Sequence, residues 1–172
     1  MKLAGALARR DSRAVGRYCP IERALDVLKA RSAVLVLREA FYGATRFEEF
    51  TARTGLSDAT AAGRLRDLVR ADILDKRPYQ EPGPRRRHEY VLTLSGTELM
   101  PAVFALLQWA NRHAPPPYPP ALHHDGCGEP VAIEARCAAG HQVGADEISV
   151  TAAGPFGLDD PVSLETWDGE RA

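Results

Sequence analysis

Two pairs of histidine and cysteine residues near the C-terminus have the spacing of metal ligands. His124 precedes Cys127 with two residues between them, and Cys137 precedes His141 with three residues between them. Tetrahedral Zn²⁺ takes four nitrogen or sulfur ligands that turns bring together. The spacing therefore predicts a structural zinc at His124, Cys127, Cys137 and His141, with His123 as a replacement for His124. The same cluster leaves a second interpretation open, a metal- or thiol-dependent enzyme.

Other signatures of a catalytic site are absent from the sequence. It contains no glycine-rich phosphate loop, nucleophile elbow, HExxH motif or paired-carboxylate pattern. The composition is that of an ordinary globular protein, and no apolar stretch approaches the roughly 20 residues that span a bilayer. The N-terminal arginines follow a short apolar patch, unlike those of a secretory signal. We therefore expect a cytoplasmic protein that is not an enzyme and has no membrane partner.

Basic residues are concentrated in the first two thirds of the chain. Residues 1–113 carry 20 Lys and Arg against 13 Asp and Glu, a net of +7, whereas residues 114–172 carry 2 against 10, a net of −8. Three consecutive arginines precede a histidine in the stretch "YQEPGPRRRHEYVL", residues 79–92. Adjacent guanidinium groups repel one another and add nothing to a core, so this pattern indicates a basic domain that meets a polyanion. The alternative is a solvated hairpin tip.

Helical periodicity and turn residues predict the elements that position these groups. The predicted helices cover residues 20–29, 32–43, 45–55, 57–72 and 95–114. Ser32 and Ser57 are the predicted N-caps of the second and fourth helices, since a side-chain hydroxyl accepts a hydrogen bond from the first turn. Two strands, 73–80 and 86–93, flank the Pro/Gly turn "EPGP".

A helix, a tight turn, a second helix and a basic hairpin follow one another, which is the order of a winged helix-turn-helix. Across about residues 19–113 the chain resembles the HxlR family of winged helix-turn-helix transcription regulators. The stretches that carry the resemblance are "CPIERALDVL", "LREAFYGATRFEEF", "RLRDLV", "DILDKRPYQ", "RRHEYVLTLSG" and "LLQWANRHA". The resemblance implies a homodimer, held mainly by the first and last helices, that binds a pseudo-palindromic site in double-stranded DNA. The alternative is a small α+β fold that happens to be basic.

The resemblance places a recognition helix at residues 57–72 and a basic wing at residues 76–92. Arg66 is the predicted bidentate contact to guanine, whereas Arg64 and Arg70 are suited to phosphates. The remaining predicted DNA contacts are Ser57, Thr60, Arg85, Arg86, Arg87 and His88. Where the family usually offers Lys, Ser or Gln near the helix start, this chain has Ala59, Ala62 and Gly63. Direct readout is therefore expected to rest on few side chains, or recognition has shifted towards DNA shape.

Cys19 stands at the start of the first predicted helix, where backbone amides and the helix dipole favour a thiolate. The family commonly has a cysteine here, and some members use it to sense electrophiles or oxidants; a packed, inert thiol is the alternative. Some members also carry a tail whose second ligand pair is Cys-x2-Cys. Because Gly140 occupies that second cysteine position, either His141 substitutes for it or the metal site has been lost. A small-molecule effector is a further partner that the sequence leaves open.

The expected fold class is α+β, mainly α, with a winged helix-turn-helix domain and a small C-terminal β-rich appendage. The run "PPPYPP" marks a stiff linker between the two. The predicted segments are a flexible arm (1–18), the DNA-binding and dimerisation domain (19–113), the linker (114–120), the Cys/His-containing appendage (121–152) and an acidic, disordered tail (153–172). No cofactor is required in this interpretation apart from the candidate structural zinc.

Overall fold

The computed structural model describes residues 1–4, 8, 19–79 and 87–151. The predicted acidic tail, most of the predicted arm, and Arg85 and Arg86 lie outside these residues. The helices within them are α1 (Pro20–Leu28), α2 (Arg31–Phe41), α3 (Phe47–Thr54), α4 (Asp58–Arg70), α5 (Leu94–Glu98) and α6 (Met100–His113). The strands within them are β1 (Lys2–Leu3), β2 (Leu74–Tyr79), β3 (Arg87–Leu92) and β4 (Ser149–Val150).

Helices α1 and α2 differ sharply in burial. None of the residues of α1 is buried, whereas α2 buries Ala33, Val36, Leu37, Glu39 and Ala40. The prediction of Ser32 as the N-cap of α2 is wrong, because Ala30 takes that position in extended conformation and Ser32 lies inside the first turn. Lys29, between the two helices, has a φ of 52°, an uncommon conformation for a residue other than glycine.

Helices α3 and α4 form the helix-turn-helix. Gly55 ends α3 in the left-handed conformation that favours glycine, with a φ of 67°. Ser57 then caps α4 as predicted, its side chain accepting the N–H of Thr60. Only Leu56 lies between the two caps, so the turn is tight and fixes the angle between the helices.

Glu49 fastens the start of α3 to the preceding backbone. Its Oε2 atom accepts the N–H groups of Thr45 and Arg46, each at 2.9 Å. These two hydrogen bonds lower the pKa of Glu49 from its usual value of 4.5, and the positive charges of Arg53 and Arg46 lower it further. Both interactions favour the ionised carboxylate, which is also the form that suits the positive end of a helix dipole.

Strands β2 and β3 pair antiparallel, with Leu74 opposite Leu92 at the base and Tyr79 opposite Arg87 towards the tip. An isolated antiparallel bridge joins Arg46 to Glu89, and the N–H of Tyr90 donates to the carbonyl of Thr45 at 2.7 Å. The base of the hairpin is thereby tied to the residues that lead into α3. This attachment places β3 beside the helix-turn-helix.

The prediction of a single closing helix over residues 95–114 is wrong, since the chain forms α5 and α6 with a break at Leu99. Pro101 supplies the physical reason: it has no N–H to continue the helix ladder but suits the first turn of a new helix. Thr93 caps α5, with its hydroxyl oxygen 3.0 Å from the N–H of Gly96.

One apolar cluster joins α2, α3, α4 and the wing. The phenyl ring of Phe50 packs edge-on against Tyr90, with ring centroids 6.1 Å apart. Burial of such side chains contributes about 25 cal/mol per Å² of apolar surface, which makes this cluster the main stabilising element of the domain. Its largest fully buried members are Phe50, Leu37, Leu65, Leu68, Ile73, Leu74 and Val36.

The described residues form two compact units. One is built from Arg23–Glu134, and the other from the N-terminal residues up to Glu22 together with the C-terminal residues from Ala135. In the second unit, β1 pairs in parallel with β4. Lys2 and Leu3, which the sequence analysis assigned to a flexible arm, therefore form a short strand. The strand-like run at residues 130–136 forms bridges only at its two end residues, and the run at residues 146–151 shortens to β4.

The predicted fold class is confirmed: the structure is α+β, mainly helical, with a winged helix-turn-helix. Among the described residues, no helix combines the length and the apolar character that crossing a membrane requires.

Replacing glycine with alanine should have opposite effects on stability at Gly96 and at Gly63. A Cβ atom at Gly96 would overlap the carbonyl oxygen of Ile73 and lie 3.0 Å from its carbonyl carbon, whereas one at Gly63 meets no atom within 4 Å. We expect Gly96→Ala to destabilise the protein by roughly 2 kcal/mol or more. Gly63→Ala should stabilise it by up to about 1 kcal/mol, because alanine favours a helix interior.

Urea denaturation followed by far-UV circular dichroism measures both effects on one scale. Midpoints that move in opposite directions support the backbone positions described here. A Gly96→Ala midpoint equal to that of the wild type would show that α5 does not pack against Ile73 in this way.

Candidate nucleic-acid interface

Helix α4 buries one face and presents the opposite face to solvent. Ala61, Leu65 and Leu68 are buried, at the spacing of a single helical stripe. The exposed positions of α4 are Asp58, Ala59, Arg66 and Arg70, with Ala62 and Gly63 half-buried beside them. The outer surface of α4 therefore has one carboxylate and small side chains near its start and arginines towards its end.

Arg66 is the arginine of α4 that stands apart from the carboxylates. It is exposed and forms no ion pair within the described part of the chain. Its positive charge acts on Tyr90, whose pKa is raised by burial and pulled in the opposite direction by Arg66. A guanidinium in this state is available for a bidentate contact with a planar acceptor pair.

Arg64 and Arg70 are held by one carboxylate on their own helix. Arg64 Nη1 lies 3.0 Å from Oδ2 of Asp67, and Arg70 Nη1 lies 3.2 Å from Oδ1 of the same residue. Both arginines were predicted as phosphate contacts, and this pairing was not foreseen. The i, i+3 spacing of Arg64, Asp67 and Arg70 in the sequence is the signal that would have revealed it.

Ser57 and Thr60, two further predicted contacts, are hydrogen bonded to each other. Their hydroxyl oxygens lie 2.9 Å apart, and the Ser57 oxygen also accepts the N–H of Thr60 at 3.3 Å. Ser57 is exposed and Thr60 is half-buried. Their first role in the structure is to cap α4, and any contact with an outside group has to share the same oxygens.

The wing carries its cations on both faces. Arg87 and His88, at the start of β3, are exposed. On β2, Arg77 is paired with Asp75 at 2.8 Å, whereas the ammonium of Lys76 lies 5.9 Å from the centre of the Tyr90 ring. Arg85 and Arg86, the other two predicted wing contacts, lie outside the described residues.

Arg46 extends this basic surface in a way that the sequence reasoning missed. It is exposed immediately before α3, and its guanidinium carbon lies 5.1 Å from the centre of the Tyr79 ring on β2. The cation–π contact brings a charge from the helix-turn-helix to the wing. A polar cleft of about 280 Å³ opens nearby, lined by Phe47, Glu48, Lys76, Tyr79, Arg87, His88 and Tyr90.

The predicted zinc ligands occur in two small turns, one in each compact unit. In the first, His124 Nδ1 lies 3.1 Å from Cys127 Sγ, and both residues are exposed. In the second, the N–H of Cys137 donates to the carbonyl of His141 at 3.0 Å. Among the described residues, no three His, Cys, Asp or Glu side chains converge as a metal site would require. A zinc bound by all four residues stays a prediction.

Cys19 directly precedes α1 and is half-buried, and its thiol is free. Cys127 and Cys137 are also free thiols, but both are exposed. Cys19 therefore differs from the other two cysteines in its environment.

A helix-turn-helix joined to a basic two-stranded wing defines a winged helix-turn-helix protein. The chain belongs to the HxlR-like helix-turn-helix family, whose sequence profile matches residues 27–118. The family resemblance predicted from the sequence is confirmed by this match.

Relatives and solved structures agree with this assignment. An uncharacterized HTH-type transcriptional regulator of Mycobacterium tuberculosis is 39% identical over 111 residues, which cover 63% of this chain and 69% of the relative. The crystal structure of PA1607, a candidate transcription factor, has 33% identity and a TM-score of 0.70, covering 78% of this chain and 95% of that one. The redox regulator HypR in its oxidized form has 27% identity and a TM-score of 0.50, covering 55% of this chain and 97% of that one.

Proposed function

We propose that this protein is a transcriptional regulator that binds double-stranded DNA through α4 and the β2–β3 wing. The observation that carries the proposal is the orientation of α4, which buries its apolar stripe and turns Arg66 outwards beside a basic hairpin. An α-helix of this kind fits the major groove of B-DNA, while the hairpin reaches the flanking backbone. Family membership and the names of the relatives support the same function.

Base readout rests mainly on Arg66 in this proposal. Ala59, Ala62 and Gly63 offer no hydrogen-bonding side chain, although alanine can contact the methyl group of thymine. The exposed wing cations Arg87 and His88 supply backbone contacts that carry no sequence information directly. With few base contacts and several backbone contacts, DNA affinity should depend strongly on salt concentration, and only a few base pairs should be specified.

Replacing Arg66 with alanine should weaken specific binding by about 1–3 kcal/mol, the usual value of a bidentate contact with guanine. The DNA target is first selected from a library of random duplexes by the wild-type protein. Fluorescence anisotropy then gives Kd for the selected duplex and for a shuffled duplex of equal composition. Arg66→Ala should lose affinity for the selected duplex and little for the shuffled one.

Arg136→Ala is the matched control, since it removes the same charge from an exposed position outside the wing and outside α1, α4 and α6. It should bind both duplexes like the wild type. The proposal fails if the library yields no enriched sequence and Arg66→Ala binds DNA as well as the wild type does.

We further propose that the regulator is a homodimer joined through α1 and α6. Leu25 of α1 and Leu106 and Trp109 of α6 are each about 60% exposed in the single chain. Large apolar side chains left uncovered on helices are typical of surfaces that pack against another protein chain. A dimer would also present two copies of α4 to a pseudo-palindromic site.

Trp109→Glu should convert the dimer into a folded monomer, because a charge would then be buried at the interface. Tyr118→Glu is the control: Tyr118 is 93% exposed in the proline-rich segment outside the helices. Sedimentation equilibrium gives the mass of each, and circular dichroism verifies the fold. A wild-type protein that remains monomeric at micromolar concentration contradicts this proposal.

Oxidation of Cys19 is the regulatory input that we propose for this dimer. The similarity to the redox regulator HypR supports this input, as does the half-buried position of a free thiol next to α1. The expected chemistry is the two-electron oxidation of the thiolate by peroxide to a sulfenic acid, with water or hydroxide as the other product. A change at the start of α1 would act on the proposed dimer interface.

Peroxide should change the DNA affinity of the wild type but not that of Cys19→Ser. A variant in which both Cys127 and Cys137 are serine should respond like the wild type, because these thiols are exposed and lie outside α1. Binding is measured on the selected duplex before and after treatment and again after reduction by dithiothreitol. If Cys19→Ser responds as fully as the wild type, Cys19 is not the sensor.

An enzyme built on the C-terminal Cys/His cluster has no support from the comparisons, all of which point to transcription regulators or their fold. A small-molecule effector stays a prediction.

A further inference from the structure

Asp67 lies at the centre of the cations along one edge of α4. Its Oδ2 atom pairs with Arg64 at 3.0 Å and its Oδ1 atom pairs with Arg70 at 3.2 Å. Lys29, in the turn between α1 and α2, approaches Oδ1 at 3.9 Å. Both oxygens of one carboxylate are thus occupied by positive groups from two parts of the domain.

The two arginines are held to different degrees. The side chain of Arg64 is 27% exposed, and its Nε atom is buried without a hydrogen-bond partner in the described structure. The ion pair with Asp67 is therefore the polar contact that orients this guanidinium. The side chain of Arg70 is 73% exposed, so its pair with Asp67 contributes only about 0–1 kcal/mol.

The negative charge of Asp67 attracts the neighbouring arginines but repels the phosphates of DNA. A carboxylate on this helix repels phosphates, and it offsets the charge of arginines that would otherwise attract any DNA backbone. Arg66, which has no such partner among the described residues, keeps its full charge for a base edge. The charge pattern of α4 therefore disfavours contacts that are independent of sequence more than the contact that reads sequence.

We propose that Asp67 is a positioning residue that sets the ratio of specific to non-specific DNA binding by restraining Arg64 and Arg70. This inference rests on the proposed function, because it assumes that α4 faces DNA. It differs from a purely structural role for Asp67, which would alter stability without altering the salt dependence of binding.

Asp67→Asn keeps the shape of the side chain and removes its charge. It should bind the shuffled duplex more tightly than the wild type does. The Kd for the shuffled duplex divided by the Kd for the selected duplex should therefore fall. Each arginine that now neutralises a phosphate adds about 0.9 to the slope of log Kd against log salt, so a slope steeper by about 0.9–1.8 is expected. Asp67→Glu, which retains the charge, should keep a slope close to that of the wild type.

Arg70→Gln completes a double-mutant cycle and affects an exposed side chain that the fold does not need. In the wild-type background it should change the slope less, because the neighbouring carboxylate of Asp67 offsets the charge of Arg70. In the Asp67→Asn background it should remove about half of the added slope. This pattern separates the release of an arginine from the simple loss of a negative charge, which would leave both backgrounds equally sensitive.

The outcomes distinguish this inference from the proposed function. A wild-type protein that binds neither duplex overturns the function, and the inference with it. A wild-type protein that binds specifically, together with an Asp67→Asn variant of unchanged slope and unchanged Kd ratio, overturns the inference alone. Weaker binding of Asp67→Asn to both duplexes, with a lower urea midpoint, would show that Asp67 acts only on stability and would also overturn it.

Discussion

The burial of one stripe of α4 is the constraint on which the functional surface depends. Leu65 and Leu68 enter the same apolar cluster as Leu37 and Phe50, and this contact fixes the rotation of α4 about its axis. Because a helix has 3.6 residues per turn, that rotation also decides which side chains face outwards. Arg66 is exposed for this reason alone. A shift of one residue in the stripe would turn it towards the core.

The same cluster positions the wing. Tyr90 packs against Phe50, and its N–H donates to the carbonyl of Thr45, so β3 is attached to the residues that precede α3. Arg46 then reaches Tyr79 across the surface. Helix α4 and strand β3, which carries the exposed cations Arg87 and His88, therefore pack on the same apolar cluster. Their separation is set before any partner binds, which reduces the entropy that ordering would cost.

Much of this arrangement could be predicted from the sequence, because its signals are local. Ser57 and Gly55 mark the ends of adjacent helices through cap chemistry, and the apolar stripe of α4 is a simple periodicity. The division of the closing helix was missed, although Pro101 carried the signal. The pairing of Lys2–Leu3 with Ser149–Val150 could not be foreseen, since it joins two short segments that are far apart in the sequence and leaves no periodic pattern.

The finer properties of the site depend on packing that a sequence does not display. Arg64 and Arg66 are two residues apart and chemically identical, yet one is half-buried against Asp67 and the other is exposed. Only the structure separates a restrained charge from an available one. The histidine and cysteine pairs illustrate the same limit, because their spacing suits zinc while the described residues show no cluster of three ligands.

The central claim is that the outer face of α4 meets DNA, and amide chemical shifts measured during a DNA titration test it most directly. The account predicts that the largest shifts occur at Ala59, Gly63 and Arg66, with smaller shifts at Arg87 and His88 in the wing. Largest shifts on α6 or around His124 and Cys127, with α4 unaffected, would contradict it.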